Sequence, residues 1–323
     1  MIAGVVGATG LVGREMAATL GRLLPGRIDR FLPFASDGSA GRTVEFEGRR
    51  VAVLPFDPGS IPEGAWMLGA TSAAVASEWV PEALRRGAVV IDNSSRYRMD
   101  PGVPLVVPEV NPHAIPAGCR LVANPNCSTI QLVAVLAPLL DLAGVEWVAV
   151  STYQSVSGAG GPALDELEAQ QKGRSPLPRE GWFHENILTS IGQDGGGVWC
   201  EEETKLMNET AKILGRGFPV FAACARVPVR VGHVESVTVR FESCVDAGAA
   251  ARRLESAPGV AVSAAGAPPV SVAGTDEVVA GRLRNHPSDG RILQLWITAD
   301  NVRKGAALNA VQILRLMAGD AVR

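Results

Sequence analysis

The chain has 323 residues, 47% of them hydrophobic and 20% charged, with 33 acidic against 30 basic side chains for a formal charge of -3. At roughly 150 residues per domain, that length predicts about two domains, with enough core to need no disulfide or metal staple. The balanced charge excludes a chain dominated by a nucleic-acid-binding surface.

Taken in order, IAGVV at 2–6 reads as a short strand. A helix follows from about Leu11 to Leu24, with Leu11, Val12, Met16, Leu20 and Leu23 spaced for one face. Further strands are predicted at 29–35, 66–70, 88–92, 105–108 and 120–124, with a helix at 77–86. Strands alternating with helices predict a parallel sheet covered on both faces. The segment 127–142 reads as a long apolar helix that Pro138 kinks or breaks. Beyond it the pattern changes to long strands at 145–154, 227–241 and 291–300, for which antiparallel pairing in a second domain is the expectation. The segment 302–318 is helical by periodicity and is expected to pack back on the first domain. The resulting fold class is α/β, a Rossmann-like parallel-sheet domain (1–126 plus 302–323) with an α+β domain (127–301) holding a largely antiparallel sheet. The uncharged stretch from Ser256 to Thr275 is broken by glycine and three prolines and is not expected to span a membrane. The N-terminus has no basic residue before Arg14 and reads as a poor secretory signal. The five cysteines are odd in number and form no CxxC pair, which argues against a disulfide framework or a metal site. A cytoplasmic protein is the expectation.

Two local patterns carry chemistry. Gly7, Gly10 and Gly13, with Thr9, Leu11 and Val12 among them, form GATGLVG between a strand and a helix. Residues without Cβ let backbone N–H groups approach a pyrophosphate at a helix N-terminus. The GxGxxG spacing is not met, so close helix–strand packing is the competing reading. The ribose reader is expected about 20 residues on. There Asp37 would suit the 2′-hydroxyl of NAD, whereas Ser36, Ser39 or Arg42 would suit the 2′-phosphate of NADP, and the sequence leaves the two open.

The second pattern is Asn124-Pro125-Asn126-Cys127-Ser128-Thr129 ahead of the apolar helix. Asn126 is a candidate N-cap and Cys127 a first-turn residue, where unsatisfied N–H groups and the helix dipole stabilise a thiolate. Cys127 is therefore the candidate nucleophile, while Cys119, Cys200, Cys224 and Cys244 are expected to be buried and inert. A nucleophilic thiol needs an acid/base partner. Among the four histidines, His233 follows Gly232 in a region that also contains Arg226. Their odd separation would put the two side chains on opposite faces of an unbroken strand, unless Pro228 or Gly232 bends it.

The blocks GATGLVG, DNSSRYRMD (92–100), VPLVVPEVN (103–111), NPNCSTIQ (124–131), TYQSVSGAGG (152–161), EEETKLMNETAKIL (201–214), RVPVRVGH (226–233) and DNVRKGAALNAVQI (300–313) occur in this order over essentially the whole chain. Together they resemble the aspartate-semialdehyde dehydrogenase family. The resemblance implies reductive dephosphorylation of L-aspartyl 4-phosphate to L-aspartate 4-semialdehyde, early in lysine, threonine and methionine synthesis. It implies Cys127 as nucleophile, His233 as acid/base catalyst and Gln154 as a positioning group. It also implies Arg226 for the substrate α-carboxylate and Glu202 for its amino group. Arg98 and Lys205, with Asn126 nearby, are implied for phosphate, Asn309 near the cofactor, and a homodimer joined through the second domain. Glu201 or Glu202 with Lys205 also reads as an ordinary helix-surface pair. One departure stands out. The family's arginine for the 2′-phosphate of NADP is replaced by Gly38 beside Asp37, so NADP is the family expectation and NAD is admitted. The alternatives are N-acetyl-gamma-glutamyl-phosphate reductase, whose longer substrate has an acylated amine, and a non-catalytic nucleotide-binding relative.

Overall fold

The computed structural model describes residues 1–39, 41–192 and 197–319 and divides into two compact units. The first holds Met1–Asn126 and the chain from Ala306 onward; the second holds Cys127–Gly305. The return boundary thus lies four residues beyond the one expected at 302.

The first unit begins with β1 (Ile2–Val6), α1 (Leu11–Leu23), β2 (Arg30–Ala35), a hairpin of β3 (Thr43–Phe46) and β4 (Arg49–Ala52), and β5 (Leu54–Pro55). Next come β6 (Trp66–Gly69), α2 (Ala73–Arg85), β7 (Val89–Asp92) and β8 (Leu121–Ala123). Six strands form one sheet in the order β5-β2-β1-β6-β7-β8, parallel throughout. The β1–α1 turn is what the glycines are for. Gly7 has φ +87, and a Cβ on it would lie 2.4 Å from the Ala70 carbonyl oxygen. A Cβ on Gly13 would lie 2.1 Å from the Gly7 oxygen. Only residues without side chains let helix and strand approach this closely.

Two expectations are corrected here. The helix predicted from 77 starts at Ala73, because the Ser72 hydroxyl accepts the Val75 N–H and caps it. The strand predicted at 105–108 is reduced to a single bridge between Leu105 and Ala123. Pro104 and Pro108 bracket it and have no N–H to donate to a ladder.

The second unit contains α3 (Cys127–Leu139), β9 (Val145–Gln154), α4 (Gly161–Gln171), α5 (Glu201–Leu214), β10 (Val220–Arg226) and β11 (His233–Phe241). It continues with α6 (Ala247–Glu255), β12 (Val260–Ser263), α7 (Pro269–Val272), β13 (Val278–His286) and β14 (Asp289–Ala299). The strand order is β10-β9-β11-β14-β13-β12. The three central pairings are antiparallel, whereas β10 with β9 and β12 with β13 are parallel, so the sheet is mixed. The strand expected at 227–241 starts only at His233. Pro228 and Gly232, the latter at φ +97, break it. Helix α3 is apolar nearly all round and is buried against α5, α6 and the sheet. The opposite sheet face carries Trp147, Tyr153, Phe221 and Trp296, which pair as Trp147–Phe221 and Tyr153–Trp296.

The chain re-enters the first unit through a π-helical turn, Arg303–Leu308, and α8 (Asn309–Met317). Ala307, Ala310, Val311, Ile313 and Leu314 join the core formed by β1, α1 and their neighbours. The predicted continuous helix is therefore wider in its first turns.

Candidate active site

Within the second unit, four elements converge on one polar cluster. Gln154 ends β9, Arg226 ends the neighbouring β10, His233 begins β11, and Glu202 lies in the first turn of α5. All four side chains are buried. The parallel register puts Arg226 directly beside Gln154. The Gln154 amide donates from Nε2 to the Glu202 carboxylate at 3.1 Å and to the Ser128 hydroxyl at 2.9 Å. Its Oε1 accepts from Arg226 Nη1 at 3.3 Å. A carboxylate can only accept and a guanidinium can only donate, so these partners fix which way the amide points. Arg226 Nη1 also donates to the Ser155 carbonyl at 2.8 Å. Burial pulls the Arg226 pKa down, and Cys127 and Glu202 oppose that shift. Cys127 is the first residue of α3 and is half-buried. Burial pushes the Cys224 thiol far up, which makes it inert. Cys200 is also buried, but Cys119 is half-buried and Cys244 exposed, so the expectation of four buried cysteines is corrected for those two.

The imidazole of His233 is fully buried. Its Nδ1 accepts the Ser155 N–H at 3.0 Å and lies 3.1 Å from the Ser155 hydroxyl. Its Nε2 is buried with no hydrogen-bond partner among the described residues. Burial, and then the Arg226 charge, hold its pKa well below 6.5, so the ring is neutral at neutral pH. Arg226 and His233 face a common point, because a Cβ on Gly158 would lie 2.6 Å from Arg226 Nη1 and 3.2 Å from His233 Nε2. The break at 227–232 thus does what the odd spacing required. Lys205 pairs with Glu201 at 2.6 Å and with Glu202 at 3.6 Å, so the surface-pair reading is realised and the ammonium sits beside the buried Glu202.

A set of groups that sequence reasoning missed surrounds His233. Asn301 Oδ1 accepts from the Ser155 hydroxyl at 2.9 Å, the Ser157 hydroxyl at 3.1 Å and the Gly232 N–H at 2.9 Å. Asn301 stands in the DNVRKGAALNAVQI stretch (300–313), which is the sequence signal that points to it.

In the first unit, Gly7, Gly10 and Gly13 line the β1–α1 turn with Thr9, Leu11 and Val12. The Thr9 hydroxyl lies 3.2 Å from that of Ser39, which joins two of the expected cofactor contacts. Ser36, Asp37 and Gly38 are exposed, and nothing lies within 4 Å of where a Gly38 Cβ would be. Arg98 is buried and donates to the Asn93 carbonyl at 2.8 Å; Asn126 is buried too. Asn309 is fully buried, and its amide donates to the Val106 carbonyl at 2.9 Å and to Asn124 Oδ1 at 2.7 Å. Both partners belong to the first unit. Among the described residues no cluster of histidine, cysteine or carboxylate could hold a metal ion, and no helix is long and apolar enough to cross a membrane.

Comparison with known proteins identifies the family. Residues 2–117 match the family model described as semialdehyde dehydrogenase, NAD binding domain, and residues 136–304 match semialdehyde dehydrogenase, dimerisation domain. An aspartate-semialdehyde dehydrogenase of Aquifex aeolicus is 40% identical over 97% of this chain and 96% of its own length. The chain belongs to the aspartate-semialdehyde dehydrogenase family. Among solved relatives, aspartate semialdehyde dehydrogenase II of Vibrio cholerae, complexed with ASA, is 39% identical with a TM-score of 0.91, covering 99% of this chain and 98% of that one. A probable aspartate-semialdehyde dehydrogenase of Pseudomonas aeruginosa is 31% identical with a TM-score of 0.88, covering 99% and 98%.

Proposed function

We propose that the chain reduces L-aspartyl 4-phosphate to L-aspartate 4-semialdehyde through a thioacyl intermediate on Cys127. One observation carries the reading: a single amide, Gln154, is held between a carboxylate and a guanidinium in the unit whose first helix opens at Cys127. An amino-acid substrate presents an ammonium and a carboxylate on one carbon. Glu202 takes the ammonium and Arg226 the carboxylate, for which the planar guanidinium is suited to bidentate contact. Cys127 attacks the acyl phosphate carbonyl, and phosphate leaves toward Arg98, Lys205 and Asn126. Gln154 and backbone N–H groups of the first turn of α3 steady the oxygen that gains charge. His233 serves as the acid/base group, and sulfur departs readily as thiolate when the aldehyde forms.

A nicotinamide dinucleotide supplies the hydride. The β1–α1 turn suits its pyrophosphate, because a strand there runs straight into a helix N-terminus whose backbone N–H groups no side chain on Gly7, Gly10 or Gly13 covers; the tight contacts of Gly7 and Gly13 hold that turn in shape. Thr9, Gly10, Leu11 and Val12 complete that contact, and Asn309, which donates to Asn124, lies near the cofactor. We take NADP as the cofactor with NAD tolerated: Ser36, Ser39 and Arg42 suit a 2′-phosphate, whereas Asp37 beside Gly38 suits a 2′-hydroxyl.

The reading puts the reaction early in lysine, threonine and methionine synthesis, in the cytoplasm. A homodimer is supported by the match to a dimerisation domain and by the aromatic sheet face of Trp147, Tyr153, Phe221 and Trp296. The test is phosphate-dependent reduction of NADP and of NAD by L-aspartate 4-semialdehyde, run beside N-acetyl-L-glutamate 5-semialdehyde. Turnover of the first substrate alone is expected. Preference for the acylated, longer substrate would overturn the assignment of Glu202.

A further inference from the structure

Asn301 follows β14 and precedes the π-helical turn. The Asp300 carboxylate fixes this corner: Oδ1 accepts the N–H groups of Val302 and Arg303, each at 2.9 Å, and Oδ2 accepts the Gly274 N–H at 2.7 Å. With Asp300 so committed, Asn301 turns inward and is 3% exposed. Its Oδ1 gathers the Ser155 hydroxyl, the Ser157 hydroxyl and the Gly232 N–H, and its Nδ2 donates to the Ser157 oxygen at 2.9 Å. Ser155 and Gly232 both adjoin His233. Ser155 gives its N–H to Nδ1, and Gly232 immediately precedes the histidine.

A backbone N–H can only donate, so Nδ1 must be the ring's acceptor. A neutral imidazole has one hydrogen, which must then sit on Nε2. That nitrogen is buried, has no partner among the described residues, and faces the space left by the absent Gly158 side chain beside Arg226. A donor is thereby presented where a reacting oxygen would come.

We propose that Asn301 is a positioning residue for the reaction: by tying Ser155 and Gly232 together it holds His233 as the Nε2–H tautomer, aimed at the substrate oxygen. The proposal rests on the functional reading above, but its main test needs no turnover. The chain has four histidines, so nitrogen NMR of the histidine-labelled free protein resolves each ring, with the His233 signals assigned by their loss in His233→Gln. Wild type is expected to show His233 with its hydrogen on Nε2. In Asn301→Leu the ring is expected to mix tautomers, and kcat to fall roughly 10–10²-fold with KM little changed, as misplaced catalytic groups do.

Asn301→Asp keeps the triple acceptor and is the conservative rescue. It should keep the tautomer and most of kcat, while its added negative charge moves the acid limb of the pH–rate profile upward. Arg226, on β10, is the charged group that faces the ring; Ser155, Ser157 and Gly158 after β9 and Ala299 on β14 are neutral. A merely structural asparagine would give equal losses at every pH and no tautomer change. An Nδ1–H ring in wild type, or a pure Nε2–H ring with full kcat in Asn301→Leu, would overturn the proposal. Should Asn301→Leu fail to fold, the Asn301→Asp profile decides, because an unmoved acid limb also overturns it. A protein with the expected tautomers but no aspartate-semialdehyde turnover would instead reject the functional reading.

Discussion

The exposed turn at Gly38 offers a direct measure of what one side chain adds to cofactor choice. Gly38 lies in the turn Asp37–Ser39, has an ordinary backbone conformation, and would meet nothing within 4 Å of an added Cβ. Gly38→Arg therefore introduces neither clash nor backbone strain, and its melting temperature should match wild type. The new guanidinium adds a charge-assisted hydrogen bond to a 2′-phosphate, about 1.5–3 kcal/mol. At about 1.4 kcal/mol per decade, this is roughly a 10- to 150-fold gain in kcat/KM for NADP relative to NAD. The exposed Asp37 carboxylate beside it should keep the gain toward the lower end. The assay is steady-state kinetics with each cofactor at fixed phosphate and L-aspartate 4-semialdehyde. An unchanged ratio, or equal losses with both cofactors, would refute the argument that this turn reads the ribose.

Other outcomes follow from the same geometry. Cys127→Ala should abolish turnover and remove the fastest-alkylating thiol seen with iodoacetamide, whereas Cys224→Ala should leave that labelling unchanged. Gln154→Leu, which deletes the amide between Glu202 and Arg226, should lower kcat by about 10²–10³-fold if the amide steadies the oxyanion; a loss confined to KM would assign it to binding alone. Gly13→Ala drives a methyl to 2.1 Å from the Gly7 oxygen. It should cost about 1–3 kcal/mol in stability and weaken dinucleotide binding, as melting and cofactor titration would show. Burial raises the Glu235 carboxyl well above its ordinary 4.5. The folded state then holds a proton that the unfolded chain releases above that value, so stability falls as pH rises from 4.5 toward the folded pKa. Glu235→Gln removes this slope, at most about 1.36 kcal/mol per pH unit. Denaturant melts across pH should show the variant gaining on wild type, and parallel curves would exclude a buried neutral acid.

How much of this was legible beforehand depended on range. The parallel sheet of the first unit came from short apolar runs alternating with helical ones, because every such strand is buried on both faces. Cys127 was visible from its place before an apolar helix, and Gln154, Glu202 and Arg226 through motifs that span the chain. His233 and Arg226 looked mismatched at an odd spacing until the break at Pro228 and Gly232 resolved it. Asn301 was not legible as a hub, since its partner Ser155 lies 146 residues away and no spacing rule links them. The parallel pairing of β10 with β9 was equally hidden, because alternation in a strand says which face is buried and nothing about which neighbour it joins. The π-helical turn left no trace in a periodicity that reads three to four residues per turn.

The chain leaves the first unit after Asn126 and re-enters it only after Gly305, with Gly305 packed so near Cys127 that a Cβ there would lie 2.8 Å from the cysteine Cβ. This sets an order on the ribosome. Every residue of the second unit emerges before the last helix, whose Ala310, Val311, Ile313 and Leu314 complete the first unit's core. The N-terminal sheet is synthesised first yet must wait, its apolar floor incomplete, while the inserted unit can close beforehand. Truncation just short of α8 should thus spare the later-made unit and unravel the earlier-made one.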